Sequence, residues 1–336
     1  MTKSLKITLK ILLWLIIVLA TAALGFKTWD WIRHFEFYNT AKPFYDTPDI
    51  HKGYVPQGFD YVEEENIYLT TGYMSNDEAS RVYVMYPNGK TTYTELMKKN
   101  GKKYTGHTGG ISHYGDYVYI TGGDNLDVFS LSVILNGKSQ TSLLGTVKTY
   151  NNPAYCYVQN GYILSGSYHD PNVSDFSTPE YEHATTPCGD LHKSIITVFK
   201  LSNDEPFGVE PTPKAVLSTR NYAQGMCVTD KGNIILSTSH GLSSSQLFVY
   251  DTSNLQSENY HFQGTTETGD SFDFPDIQRY YLDSASLVQT IKAPPMSEEI
   301  LYRDGKILIM NESACNKYLF GKVTSGTKLY AYPYKD

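Results

Sequence analysis

The amino-acid sequence predicts an all-β protein: a β-propeller of four-stranded blades carried behind an N-terminal transmembrane helix. Three observations predict it. A short template recurs five times, in the same order, along 336 residues. The composition is aromatic-rich and charge-poor, with 29 Tyr and 19% charged residues, which suits pleated sheets better than solvated helices. Ahead of the repeats stands one long apolar run preceded by lysines.

The template is clearest in two ungapped copies, "PQGFDYVEEENIYLTTGYM" from Pro56 and "AQGMCVTDKGNIILSTSHG" from Ala223. With Gly58 set on Gly225, Gln57 meets Gln224, Asn66 meets Asn233, Ile67 meets Ile234, Leu69 meets Leu236 and Thr71 meets Thr238. All of these matches in one register make an internal repeat. Residues 110–121, 154–165 and 299–310 fit the same design of strand, turn and strand. The turns "YGD", "QNG", "DKGN" and "RDGK" have hairpin chemistry.

Each copy is followed by a third alternating strand: "RVYVMY" (81–86), "LDVFSL" (126–131), "SIITVFKL" (194–201), "QLFVYD" (246–251) and "KLYAYP" (328–333). A fourth follows four of them, as "TTYTEL" from Thr91, "SLLGTVKTY" from Ser142, "KAVLST" from Lys214 and "LVQTIKA" from Leu287. The fifth copy runs out of chain at Asp336. The segment "FEFYNTAKPFY" (35–45), ahead of the first copy, is expected to supply the missing strand and close the ring, which removes open sheet edges. Five blades are counted, and the long spacings after the third and fourth copies leave room for a sixth.

The N-terminal run is "ILLWLIIVLATAALGF" (11–26), with Lys3, Lys6 and Lys10 before it. From Ile7 it offers 20 residues, enough to span a bilayer with Lys10 snorkelling. Trp29 and Trp31 follow as interfacial aromatics would, which favours an uncleaved signal anchor; "ATA" at 20–22 is what a cleaved signal peptide would use. Both readings place the remaining chain outside the cytoplasm, and the anchor reading holds it at the cell membrane by a single pass. The expected organisation is an anchor over residues 1–28, a linker with the ring-closing strand over 29–50, and the propeller over 51–336. A net charge of −7 gives no basic excess for nucleic acid. The four Cys show neither CxxC nor zinc spacing and read as free thiols.

The chain resembles bacterial exported or membrane-anchored β-propellers of the YVTN/NHL/quinoprotein-like kind over residues 50–336. "HTGGI" (107–111) and "NES" (311–313) resemble elements of a little-characterised group of them. The resemblance implies the fold and no particular activity. A second likeness, to calcium-dependent lactonase-like propellers, implies a channel Ca²⁺ at Glu312, Asn311 and Asp124; apart from it no cofactor is expected.

Strand order gathers candidate residues on one face, here called the top. The starts of the copies bring Gln57, His107, Asn152, Gln224 and Glu298 there, and the loops from second to third strand bring Tyr73, Asp124, Tyr168, His240 and Glu312. Gln57, His107, Gln224, Glu298, Tyr73 and Tyr168 are the expected ligand-binding set. The two Gln have a structural alternative, a hydrogen bond between neighbouring blades. His107, His240, Glu312 and Asp124 are the candidates for acid–base chemistry, and Glu298 and Glu299 are further carboxylates near them.

The insertion 168–193 is expected to be a lid over the channel. It carries the weak metal-ligand candidates His169, His183, Cys188 and His192; a plain polar loop is the alternative. "KKNGKKYTGH" (98–107) is a local positive patch that could attract an anionic glycan. The insertion 252–285 and the start of the closing strand are expected on the opposite, bottom face, so that the top points away from the membrane. There is no G-x-S-x-G elbow, H-E-x-x-H, P-loop or Rossmann fingerprint. The expected function is therefore binding of a ligand or protein partner through the top face, without catalysis. The alternatives are a cell-surface hydrolase or lyase acting on a glycan or lactone, and an envelope-assembly scaffold.

Overall fold

The computed structural model describes residues 3–319, 321–324 and 326–336. Among these residues the strands form five blades around one axis, plus a small ribbon of Ala184–Thr185 with Leu191–His192. From the axis outward, blade 1 is Tyr54–Val62, Ile67–Met74, Arg81–Met85 and Thr91–Met97, with the short strand Gln140–Ser142 added parallel to its outer edge. Blade 2 is Ile111–Tyr114, Tyr117–Thr121, Asn125–Ser130 and Gly145–Lys148. Blade 3 is Pro153–Gln159, Tyr162–Ser167, Ser194–Lys200 and Ala215–Thr219, and blade 4 is Ala223–Val228, Ile234–Thr238, Ser245–Tyr250 and Leu287–Ala293. Blade 5 is Ser297–Arg303, Lys306–Asn311 and Lys328–Pro333, completed by Lys42–Asp46 from the other end of the chain. The hairpins turn where left-handed backbone is cheapest. Asn160 with Gly161, and Asp304 with Gly305, all have positive φ, the geometry of a two-residue turn that matches strand twist.

The core consists of seams between blades. Leu69 and Val84 of blade 1 meet Val118 and Ile120 of blade 2, and Phe59 and Met85 of blade 1 meet Leu308 and Met310 of blade 5. Successive side chains point to opposite faces of a blade, and in the inner strands both faces are covered, so Tyr54–Val62 and Arg81–Met85 are buried almost without a break. At the axis the first strands approach too closely for side chains. A Cβ on Gly58 would lie 2.7 Å from Ile111 N, and one on Gly225 would lie 2.5 Å from the Glu299 Cα. The repeated glycine is thus a spacing requirement. Beside it, register shifts mark bulges at 56/58, 153/155, 223/225 and 297/300, so that Gln57, Ala154, Gln224 and the pair Glu298–Glu299 stand out of the ladder.

The structure corrects three expectations. The segment 35–45 is not one strand: Phe35–Thr40 is helical, and only Lys42–Asp46 pairs with the last strand. Phe37 prefers the seam between blades 4 and 5, where it packs 5.7 Å and 5.8 Å from the rings of Tyr330 and Tyr332; Pro43 then fits the edge strand, where a missing N–H costs least. The insertion 252–285 does not hang from the bottom face. It forms a hairpin, Ser257–Thr265 with Ser271–Tyr281, that adds two strands to the outer edge of blade 3. Its Phe262 and Phe272 need cover and find it on Tyr181, in the insertion of blade 3. The spare length therefore builds this hairpin and the 168–193 insertion, not a sixth blade.

The third correction concerns the anchor. Helix Lys3–Arg33 has its apolar part exposed, and it is long and apolar enough to cross a membrane. It meets the propeller at the top rim. Arg33 donates to the Leu242 carbonyl at 3.4 Å, and a ring nitrogen of His34 lies 2.9 Å from Ser244 Oγ, both in the second-to-third loop of blade 4. The same helix packs against Gly321–Val323 in the corresponding loop of blade 5. The short helix Phe35–Thr40 turns the chain upward, where a continued strand would have carried it down.

Candidate functional site

Blade 5 supplies two acids to the top of the channel. Glu298 is bulged out of the first strand, and Glu312 directly follows the second. Both are buried, Glu298 to 2% exposure. Gln57, bulged from blade 1, donates from Nε2 to Glu312 Oε2 at 2.7 Å and thereby ties the first blade to the last. The Tyr318 hydroxyl donates to Glu312 Oε1 at 2.6 Å. Glu298 has no hydrogen bond to another described residue. Burial first, then the charge of Glu312, raises the Glu298 carboxyl well above the usual range, and Lys317 opposes the shift. Burial also raises Glu312, against the pull of Tyr318, Lys317 and Gln57. Two neighbouring buried carboxyls cannot both ionise cheaply. Glu312, with two donors, is the better anion, so Glu298 is the one that holds the proton.

Aromatic groups line the rim. The His107 ring lies 5.1 Å from the Tyr73 ring, and Tyr168 packs edge-on against Phe176 at 5.8 Å. Tyr168 and Tyr73 both feel the charges of Glu298 and Glu312. The His107 residue is exposed at its surface edge, yet protein atoms crowd its ring. Desolvation, then the Lys317 charge, pushes its imidazole down to about 4, so it is neutral at pH 7. The Lys317 ammonium reaches the Tyr73 hydroxyl and lies 5.0 Å and 5.3 Å from the Tyr73 and Tyr318 ring centroids. Neither Lys317 nor Tyr318 carries a sequence signal: they sit in an irregular loop after "NES" with no repeat partner.

Below this mouth the channel is closed. Glu299 reaches the axis, where Oε2 accepts from Phe59 N at 2.7 Å and Ile111 N at 2.9 Å, and Oε1 accepts from Cys156 N at 3.3 Å. One side chain of blade 5 thus collects backbone donors from blades 1, 2 and 3. Burial raises its carboxyl although the three amides pull the other way. Such a plug is polar but leaves no through-path at the glycine layer. Towards the bottom, Asp60 lies 2.6 Å from His113 Nδ1; desolvation lowers that imidazole, but Asp60 outweighs it and the net shift is upward.

The other candidates lie apart from this cluster. His240 Nδ1 is 3.1 Å from Asp170 Oδ2, and its ring lies tilted against that of Tyr222 at 4.8 Å. Asp124 is half-buried near Tyr181, and Gln224 is half-buried at the start of blade 4. Asn152 faces Glu182 instead. The expected calcium set is not brought together: Asp124 stands near Tyr181 and is not among the charges that reach Glu312. Asn311 Nδ2 donates to the Pro295 carbonyl at 3.1 Å, and its Oδ1 has no partner among the described residues. In the insertion, His169 and His183 each approach the Thr178 hydroxyl, at 3.0 Å and 3.1 Å, while His192 turns to Ser218 at 3.2 Å and Cys188 is exposed. Among the described residues no group of three or more His, Cys, Asp or Glu is placed to hold a metal. The insertion does cover blade 3: Glu182 is fully buried beneath it, bound by the Ser167 hydroxyl, and burial raises its carboxyl to about 8.

A scan of protein-family models and a search of curated proteins both return no match. Solved structures do resemble the chain. An aldose sugar dehydrogenase from Streptomyces coelicolor in its PQQ-bound form is 14% identical, with 88% of this chain and 81% of that one covered and a TM-score of 0.39. A putative glucose dehydrogenase from Thermus thermophilus is 10% identical over 87% and 98%, with a TM-score of 0.44. A gluconolactonase from Xanthomonas campestris is 14% identical over 87% and 88%, with a TM-score of 0.38. These are quinoprotein- and gluconolactonase-like propellers, and at such identities and TM-scores they carry no argument about activity; the five-bladed propeller rests on the strand pairing described above.

Proposed function

We propose that this protein is a membrane-tethered, extracytoplasmic propeller that binds a small polar ligand, or the end of a glycan, in the top mouth without transforming it. One observation carries the reading: Glu298 is a buried carboxyl at the top of the channel with no hydrogen bond to another described residue, and its charge reaches both Tyr73 and Tyr168. Buried polar groups are nearly always paired, and an unpaired one at a channel mouth is a vacancy for a ligand's donor. The acid pair favours a neutral or cationic ligand there. An anionic glycan would meet the exposed lysines of 98–103 instead.

The raised acid pair also supports a second reading, a hydrolase or lyase in which Glu298 is the general acid. The test is thermal stability of the full-length protein in detergent against neutral, amino and acidic glycans. A ligand at a hundredfold excess over Kd stabilises the folded state by about 2.7 kcal/mol. We expect a shift with wild type that is lost in Y73A and E312A; no shift with any glycan would sink the proposal. Cleavage of a glycan or lactone that disappears in E298Q would replace it with the enzymatic reading.

A further inference from the structure

A cation already lies across the mouth. Lys317 is exposed on its own loop, yet its ammonium folds back onto the Tyr73 hydroxyl and over the rings of Tyr73 and Tyr318. Rings that face a cation at this range attract it through their quadrupole. The same elements serve the acids, since Tyr318 also donates to Glu312. Any charge on Glu298 or Glu312 meets the Lys317 ammonium, whose field opposes the upward shift of both carboxyls. No ion pair within 4.0 Å joins Lys317 to either carboxyl among the described residues, so Lys317 acts across a gap; both Glu312 oxygens already accept a hydrogen bond, which leaves Glu298 as the carboxyl open to a ligand.

We propose that Lys317 is a built-in stand-in for the ligand, and that the mouth takes a primary ammonium group carried on an amino sugar, which displaces Lys317. The inference rests on the reading of the mouth as a ligand site. Exchanging one ammonium for another leaves the charge of the mouth unchanged. The sugar part follows from Glu298: a bare alkylamine would replace Lys317 and still leave that carboxyl unpartnered, whereas a hydroxyl beside the amine can bond it. Tyr168 and His107 offer flat faces for the sugar ring.

The experiment is isothermal titration of the full-length protein in detergent, as wild type, K317M and E312Q. The probes are glucosamine, N-acetylglucosamine, glucose and Nα-acetyl-lysine methylamide. Removing an internal competitor held by two rings should tighten glucosamine binding about tenfold in K317M, and E312Q should weaken it by at least as much. N-acetylglucosamine and glucose, which lack the charge, should bind neither form. If they bind K317M as tightly as glucosamine does, the ammonium inference falls while the ligand site stands. If the lysine derivative matches glucosamine, the amino-sugar assignment falls. If no probe binds wild type or K317M, both the inference and the proposed function fall.

Discussion

At the scale of single residues, buried acids do much of the structural work. Glu182 is the clearest case for titration. Its folded pKa, about 8, lies above the ordinary value of 4.5. The folded state therefore holds the proton more tightly than the unfolded chain. Its stabilising contribution is complete below pH 4.5 and is lost as pH rises toward 8. E182Q should flatten that stretch of the stability–pH curve and stabilise the protein near pH 8 by roughly 1–3 kcal/mol, as read by urea denaturation at several pH values. His107 gives a second titration: its imidazole signals in NMR should show it neutral at about pH 5.5, where an ordinary histidine is charged. The glycine layer tolerates no substitution. G225A places a methyl 2.5 Å from the Glu299 Cα, between two backbones that cannot move apart. Loss of soluble folded protein is the expected outcome; near-normal thermal stability would contradict the close-packed axis.

At the scale of elements, hairpins were legible in the sequence and their neighbours were less so. The first two strands of every blade stand where the repeat places them, because Gly, a turn and an alternating strand are local signals. The fate of 252–285 is not local. Its alternating Phe residues announce a strand, but the edge it joins belongs to another blade and is visible only after folding. The site divides in the same way. Gln57, Glu298 and Glu312 could be named from strand ends, while the Gln57–Glu312 bond needs the first and last blades to be neighbours. The Lys317–Tyr318 loop has no periodic signal at all. One element invites a direct test. Phe37 pins the short helix into the seam between blades 4 and 5, so F37A should cost about 3–5 kcal/mol if the seam cannot collapse. A loss below ~1 kcal/mol would mean that the ring closes without this peg.

At the scale of the whole molecule, the place where the long apolar helix joins the disc decides which face a membrane crossed by that helix would meet. A helix of 31 residues is about 46 Å long at 1.5 Å per residue, and it joins the propeller beside the loops that frame the mouth. The mouth should therefore lie on the membrane-proximal side. In vesicles, with C188S removing the exposed thiol, a fluorophore on a cysteine at Asn316 should be quenched by headgroup spin labels more strongly than one at Glu64. Equal quenching would mean that the disc stands edge-on.

The strand Lys42–Asp46 also sets a timetable for synthesis. It is among the first parts of the disc to leave the ribosome, and its partner Lys328–Pro333 is almost the last. At roughly 5–20 residues per second, the early strand waits on the order of tens of seconds for the late one. During that interval blades 1 to 4 can form, but the ring has an open seam on either side of the gap. Those two faces need shielding until Lys328–Pro333 arrives. A chain cut anywhere before Lys328 would hold four finished blades and still be unable to close the ring.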